Sequence, residues 1–264
     1  MKRASIATLL AVTLLSCAAA NPPSPSTSAQ PLRLEPNQED AYVQLRRTLY
    51  LAGNGFALPL GEYSAGGVCV ELTDDGCYVL TVNHFCAPPS EMTEETLASL
   101  PGKTHFVDVA MTFDGASGFV DIIDTHPPAD LCLMHVTGDM SASVQSIQDL
   151  DAASLFDPLV NYGAPRGMFN PRPRPMLFAY TGRWAGFCTE RCAIPAMDID
   201  YDNFIVYSIP TTRGQSGSPI FMSRNLFSIQ VASNLSVDDY GIGASPEAIR
   251  DFLGNNGITL PVLP

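Results

Sequence analysis

Gly214-Gln215-Ser216-Gly217-Ser218-Pro219-Ile220-Phe221 sets a serine between two glycines directly before a short apolar run. Such a turn lets backbone N–H groups converge on one point, and Pro219-Ile220-Phe221 reads as the strand that follows it. A Gly-Ser turn alone is common, so its meaning depends on what else the chain carries. Two further segments concentrate reactive side chains. Asp75-Gly76 makes a tight turn, Tyr78-Val79-Leu80-Thr81 runs as an apolar strand, and Val82-Asn83-His84-Phe85-Cys86 delivers His84 at the strand end, where its ring can face a cleft. Pro127-Pro128-Ala129 breaks the chain before Asp130-Leu131-Cys132-Leu133-Met134, an acid heading a strand of buried alternation. Taken singly, a strand-end histidine is more often structural, and such an acid is more often a cap.

The whole chain has this short-strand character. Runs rich in Val, Ile, Tyr and Phe at 67–72, 77–82, 107–113, 131–136, 175–182, 204–209, 219–221 and 226–232 are separated by Gly, Pro, Asp and Asn clusters, an all-β pattern that two packed barrels or a sandwich would absorb. Helical signals occur near each end, at 38–51 and at 246–253. In the second, Ser245 is an N-cap and Pro246 takes the first helical position. No repeat at a solenoid or propeller period is visible.

The 264 residues are 46% hydrophobic and 16% charged with 22 Pro and 20 Gly, a globular composition that excludes collagen-like, coiled-coil and wholly disordered chains. Fourteen Lys and Arg stand against 27 Asp and Glu, for a net charge of −13, so the cationic footprint that nucleic acid requires is missing and nucleic acid is not an expected partner. Lys2 and Arg3 precede an apolar stretch at 6–15 that ends in small residues, which reads as an export signal over 1–20 and makes the mature protein extracytoplasmic. Two exits compete. Ala18-Ala19-Ala20 suits signal peptidase and a secreted or periplasmic product, whereas Leu14-Leu15-Ser16-Cys17 is like a lipobox that would anchor Cys17 to the membrane surface by a lipid. Removing Lys2 and Arg3 takes the charge from −13 to −15 in either case. Residues 21–38, rich in Pro, Ser and Asn, read as a flexible tether to a domain over 39–264. No later apolar run approaches the roughly 18 residues needed to cross a bilayer.

Past the signal stand Cys69, Cys77, Cys86, Cys132, Cys188 and Cys192, an even count for which disulfides are the default in an oxidising compartment. Cys188 and Cys192 are close enough to staple one loop. A zinc site would need two more thiolates or imidazoles in a similar short knuckle, and the chain has no second knuckle of that kind. Asp198, Asp200 and Asp202 alternate like the start of a calcium loop, but the glycine at the sixth place and the glutamate at the twelfth are absent, so neither a metal nor a cofactor is expected.

Together the three reactive segments carry more weight than singly, because they occur in the order His, Asp, Ser at intervals of 46 and 86 residues. Thr81-Val82-Asn83-His84, Asp130-Leu131-Cys132-Leu133 and Gly214-Gln215-Ser216-Gly217-Ser218-Pro219 resemble the three signature motifs of trypsin-like serine proteases, from about residue 66 to about residue 253. The intervals are similar to the roughly 45 and 93 of chymotrypsin. The Gly-x-Ser-Gly-Ser-Pro form and the Asp75-Gly76 approach to His84 are more similar to bacterial HtrA-type and glutamyl-endopeptidase-type members than to digestive enzymes, and no PDZ module follows.

The resemblance implies two six-stranded antiparallel β-barrels of chymotrypsin-like fold, over about 53–140 and 155–255, accompanied by the short N-terminal helix and the C-terminal helix. It implies a serine endopeptidase acting on proteins or peptides, as a monomer, with His84 as general base, Asp130 as its orienting carboxylate and Ser216 as nucleophile. Backbone N–H groups of Gly214 and Ser216 would form the oxyanion hole. Asp121 and Asp124 are rival carboxylates, although neither heads an apolar strand. Cys69 lies fifteen residues before His84, like the first cysteine of the family's histidine-loop disulfide, and Cys86 sits one place beyond the usual partner, so the resemblance favours a Cys69–Cys86 bridge. Cys77 and Cys132 have no family counterpart.

Gln215 stands where digestive members carry the aspartate that pairs with a freed N-terminus, so activation by that switch is not implied. The family's primary pocket falls on Pro210, Thr211 and the later strand, where Gln230 matches the histidine of glutamyl endopeptidases. No acid lies at its base, which disfavours Lys or Arg and leaves a neutral side chain as the expectation. The competing reading is a catalytically silent trypsin-like domain that binds a protein partner.

Overall fold

The computed structural model describes residues 38–53, 56–87, 103–112, 117–164, 176–189, 192, 200–233 and 240–264. The export signal, Cys17 and nearly all of the tether lie outside them. Strands β1 (Tyr42–Gly53), β2 (Phe56–Leu72), β3 (Gly76–Val82), β4 (Lys103–Thr112), β5 (Ser117–His126) and β6 (Leu131–Thr137) close a barrel in the order β1-β2-β3-β6-β5-β4. A two-residue strand, β7 (Ile147–Gln148), leads into β8 (Pro158–Gly163), β9 (Phe178–Phe187), β10 (Phe204–Tyr207), β11 (Pro219–Met222), β12 (Asn225–Ser233) and β13 (Gly241–Ala244). These run β11-β8-β9-β10-β13-β12, and pairing of β11 with β12 closes the second six-stranded antiparallel barrel. All eight expected strands are present with shifted ends.

The expectation of a helix over 38–51 is wrong, because that stretch forms β1, paired from Tyr42↔Val68 to Gly53↔Phe56 on one side and from Val43↔Thr112 to Ala52↔Lys103 on the other. The first barrel therefore begins at Tyr42 rather than near residue 53. Val43, Leu45, Leu49 and Leu51 keep the two-residue period of a strand, but buried Arg47 interrupts it on one face and Tyr42 and Gln44 fill the other. A strand buried on both faces shows no clean alternation. Among the described residues the α-helices are instead a one-turn α1 (Asn83–Cys86) and α2 (Pro246–Asn255). In α2 the Ser245 hydroxyl accepts from Ala248 N–H at 3.2 Å, and Ala248, Ile249, Phe252 and Leu253 form its buried face. Gly257, at φ +80°, ends it, with Ile258 N–H returning to the Leu253 carbonyl.

The favoured Cys69–Cys86 bridge is also absent. Cys69 on β2 joins Cys77 on β3 (Cα–Cα 6.0 Å), and Cys86 on α1 joins Cys132 on β6 (Cα–Cα 6.5 Å). The register explains both. Cys69 lies opposite Val79, two residues along β3 from Cys77, while Cys132 lies opposite Thr81, from which the chain turns through α1 to bring Cys86 back over β6. Cys188 and Cys192 form the local disulfide, as expected.

The second barrel is filled by Leu159, Trp184, Ile205, Tyr207, Ile209, Ile220 and Phe227. Among the described residues no helix is long and apolar enough to cross a membrane.

Candidate active site

Strands β3 and β6 pair antiparallel from Gly76↔Thr137 to Val82↔Leu131, so the end of β3 lies beside the start of β6. One step further, Asn83 N–H donates to the Asp130 carbonyl at 2.9 Å. Register alone thus brings together His84 and Asp130, 46 residues apart in sequence. Asp130 caps the 3-10 turn Pro127–Ala129 in a left-handed conformation, φ 51° and ψ 41°, which an aspartate tolerates better than most residues. Its carboxylate accepts twice from His84: Oδ1 from the backbone N–H at 2.8 Å, and Oδ2 from Nδ1 of the ring at 2.6 Å. Asp130 is 1% exposed and the His84 side chain 37%. An ionised carboxylate only accepts, so the proton sits on Nδ1 and the lone pair of Nε2 is left for chemistry.

The serine turn is attached to the first barrel as well as to its own. Ser216 C=O accepts from Gly66 N–H of β2 at 2.7 Å, and Gly66 C=O accepts from Thr81 Oγ1 at 2.7 Å, three residues before His84. Gly217, at φ +81°, makes this docking possible, because a Cβ there would strike the Gly66 carbonyl and the Thr81 hydroxyl. Toward its own barrel, Gly217 N–H donates to Gln230 C=O (2.7 Å) and Gln230 N–H to Ser218 C=O (2.9 Å). Gln215 is fully buried, and its Oε1 accepts from Thr212 N–H at 2.6 Å, bracing the loop ahead of the serine.

Gln215 and Ser218 N–H groups are also used within the turn, on Thr212 and Gln215 carbonyls. The N–H groups of Gly214 and Ser216 donate to no acceptor among the described residues. They are the pair expected to face an oxyanion. Ser216 Oγ makes a long bond of 3.5 Å to Val231 C=O and none to the His84 ring.

Other sequence candidates separate clearly. Asp121 and Asp124 lie exposed on β5, and Asp124 accepts from Thr125 N–H and Asn256 Nδ2 rather than from His84. Asp200 caps the 3-10 turn Tyr201–Asn203, Asp198 lies outside the described residues, and no cluster of metal-ligating side chains occurs among those described. Thr211 and Gln230 both meet β13: the Thr211 methyl lies where a Cβ of Gly241 would project, and Gln230 is paired with Gly243. Gln230 Oε1 and Thr211 Oγ1 are buried without a partner among the described residues. Pro210, just before them, is exposed.

Sequence reasoning assigned no role to Gly66, Thr81 or Tyr42. Tyr42 Oη, fully buried, donates to Gln44 Oε1 at 2.8 Å and accepts from Ala164 N–H at 3.2 Å, so β1 is tied to the segment after β8. Burial pushes its phenol well above the usual tyrosine range, against the opposing pull of bonds to Ala164 and Ser218. The one sequence signal of the close approach is the Gly66-Gly67 pair, which lies inside β2.

No family model and no curated protein matches the sequence. Among solved structures, the chain is similar to the crystal structure of Rv3671c from M. tuberculosis H37Rv, a serine-to-alanine mutant in its inactive form. The match has a TM-score of 0.56 and 14% identity, and covers 85% of this chain and 90% of that one. So low an identity speaks to fold alone, and by its strand order and its two closed barrels this chain has the chymotrypsin-like double-barrel fold.

Proposed function

We propose that the protein is an extracytoplasmic serine endopeptidase that works through Ser216, His84 and Asp130. The observation that carries this reading is the doubly bonded His84–Asp130 pair, held beside a serine turn with two N–H groups that no acceptor among the described residues takes up. In the reaction Ser216 Oγ leaves the Val231 carbonyl and turns to His84 Nε2, which takes its proton as the oxygen attacks the peptide carbonyl. Gly214 and Ser216 N–H groups stabilise the oxyanion, a contribution of about 3 kcal/mol per donor in such sites. His84 then gives the proton to the leaving amine, and water releases the acyl group from Ser216 by the same steps. Asp130 stabilises the imidazolium and fixes its tautomer.

The primary pocket comprises Pro210, Thr211 and Gln230 and takes a neutral side chain, since the two buried oxygens there offer hydrogen bonding but no charge. The Gly-x-Ser-Gly-Ser-Pro turn favours an HtrA-type or glutamyl-endopeptidase-type subfamily. Three disulfides suit an oxidising compartment. The bond from Ser216 to Val231 instead of His84 is the observation that favours the second reading, a silent binding domain. A fluorophosphonate probe separates them. Labelling of the wild type that vanishes in Ser216→Ala supports the protease, and a folded wild type that never labels supports the silent domain.

A further inference from the structure

Arg47 points to the same side of β1 as Leu45 and Leu49 and is only 4% exposed, an expensive place for a charge. Its register partner on β4 is Asp108, and the two form a fork: Nε to Oδ1 and Nη2 to Oδ2, both 2.8 Å. The remaining nitrogen turns away from this pair. Nη1 donates to the carbonyls of Phe85 and Cys86, both at 2.7 Å, and to Ala87 at 3.3 Å. The guanidinium also lies 5.3 Å from the ring centroids of Phe85 and Phe106. Buried ion pairs add little stability over an apolar pair of similar volume, so stability alone does not explain its presence. An apolar pair could not hold three carbonyls.

Those carbonyls end the one-turn helix that carries His84, where a helix leaves acceptors unpaired. At the other end of the turn, Asp130 takes the N–H groups of Asn83 and His84. His84 is thus held between an anion that binds its N–H side and a cation that binds its C=O side. We propose that Arg47, fixed by Asp108, is the positioning residue of the His84 turn, keeping Nδ1 on Asp130 and Nε2 open toward the serine. This rests on His84 being the general base.

The test uses the full chain carrying Arg47→Met with Asp108→Leu, which leaves no unpaired buried charge, alongside Arg47→Lys. Three quantities are read: the rate and the end-point stoichiometry of fluorophosphonate labelling, kcat and KM on a peptide substrate, and the far-downfield NMR signal of the His84 Nδ1 proton. The double variant should label to the wild-type end point about 100-fold more slowly, the loss expected for a displacement of about 1 Å. It should also lose kcat with KM little changed, and lose the Nδ1 signal. Arg47→Lys should recover part of the rate. Wild-type labelling rate per site together with an unchanged Nδ1 signal would overturn the proposal, whatever the melting temperature. If the double variant does not fold, Arg47→Lys and Asp108→Asn decide by the same readouts: slowed labelling and a shifted Nδ1 signal support the clamp, and no change in either refutes it. If wild type itself never labels, the protease reading fails, and the Nδ1 signal alone decides whether Arg47 positions His84.

Discussion

Asp130→Asn tests the orienting role proposed for this carboxylate, because the two bonds it makes demand two acceptors at once. An amide has one acceptor and one donor. If its oxygen keeps the His84 backbone N–H, its NH2 faces Nδ1 and is satisfied only when the ring proton moves to Nε2, which removes the base. If the amide turns over, NH2 opposes the backbone N–H at 2.8 Å, an unpaired buried donor that costs about 1–3 kcal/mol. The inactive tautomer is therefore favoured by about 5- to 150-fold on hydrogen bonding alone. Loss of the charge that stabilises the imidazolium adds to this, for a total near four orders of magnitude in kcat, or about 5.5 kcal/mol of barrier. Folding should change little, since the inactive tautomer leaves every bond at Asn in that position satisfied. Peptide hydrolysis at neutral pH, normalised to folded protein by circular dichroism and melting temperature, checks this. Activity within tenfold of wild type in the folded variant would refute the role of Asp130 and reopen Asp121 and Asp124.

Three other outcomes follow from the same geometry. A raised phenol pKa in the fold means that stability is full below the ordinary value near 10 and falls as pH rises through it, so melting temperatures should drop above about pH 10. Tyr42→Phe should shrink that drop without abolishing it, because buried Tyr207 is raised as well, and a slope unchanged from wild type would show that Tyr42 is not the group responsible. Replacing Cys86 and Cys132 by serine should destabilise by about 4 kcal/mol and replacing Cys188 and Cys192 by about 2, from loops closed over 46 and 4 residues; denaturant melts giving the reverse order would contradict the chain-entropy argument. A chain that starts at Gly53 should fail to fold rather than become more active, because β1 closes the first barrel between β2 and β4, whereas a chain that starts at Asn21 should be active without trimming; a folded, hyperactive short chain would restore an inhibitory role for 38–51.

The reactive segments and most strands could be read from residue types, because turns, apolar runs and strand ends carry local signals. His84, Asp130 and Ser216 were found as strand-end and turn residues in a meaningful order. The second barrel shows where this stops. β13 is Gly-Ile-Gly-Ala, a poor strand by propensity, yet side chains at Gly241 and Gly243 would collide with Tyr207 and Ser228 on the neighbouring strands β10 and β12. β1 was hidden in the same way, since its buried Arg47 makes sense only once Asp108 and the His84 turn are in place.

Sequence by itself singled out the candidate reactive groups and determined that the chain would be a strand-rich, disulfide-bearing protein, because composition, turn residues and motif order act locally. Tertiary structure alone decided the partners of Cys69, Cys77, Cys86 and Cys132, the barrel membership of β1 and the contacts of Arg47 with the His84 turn. Those depend on register between strands far apart in sequence, and register is set by barrel closure and by the burial of both faces, neither of which any single segment encodes.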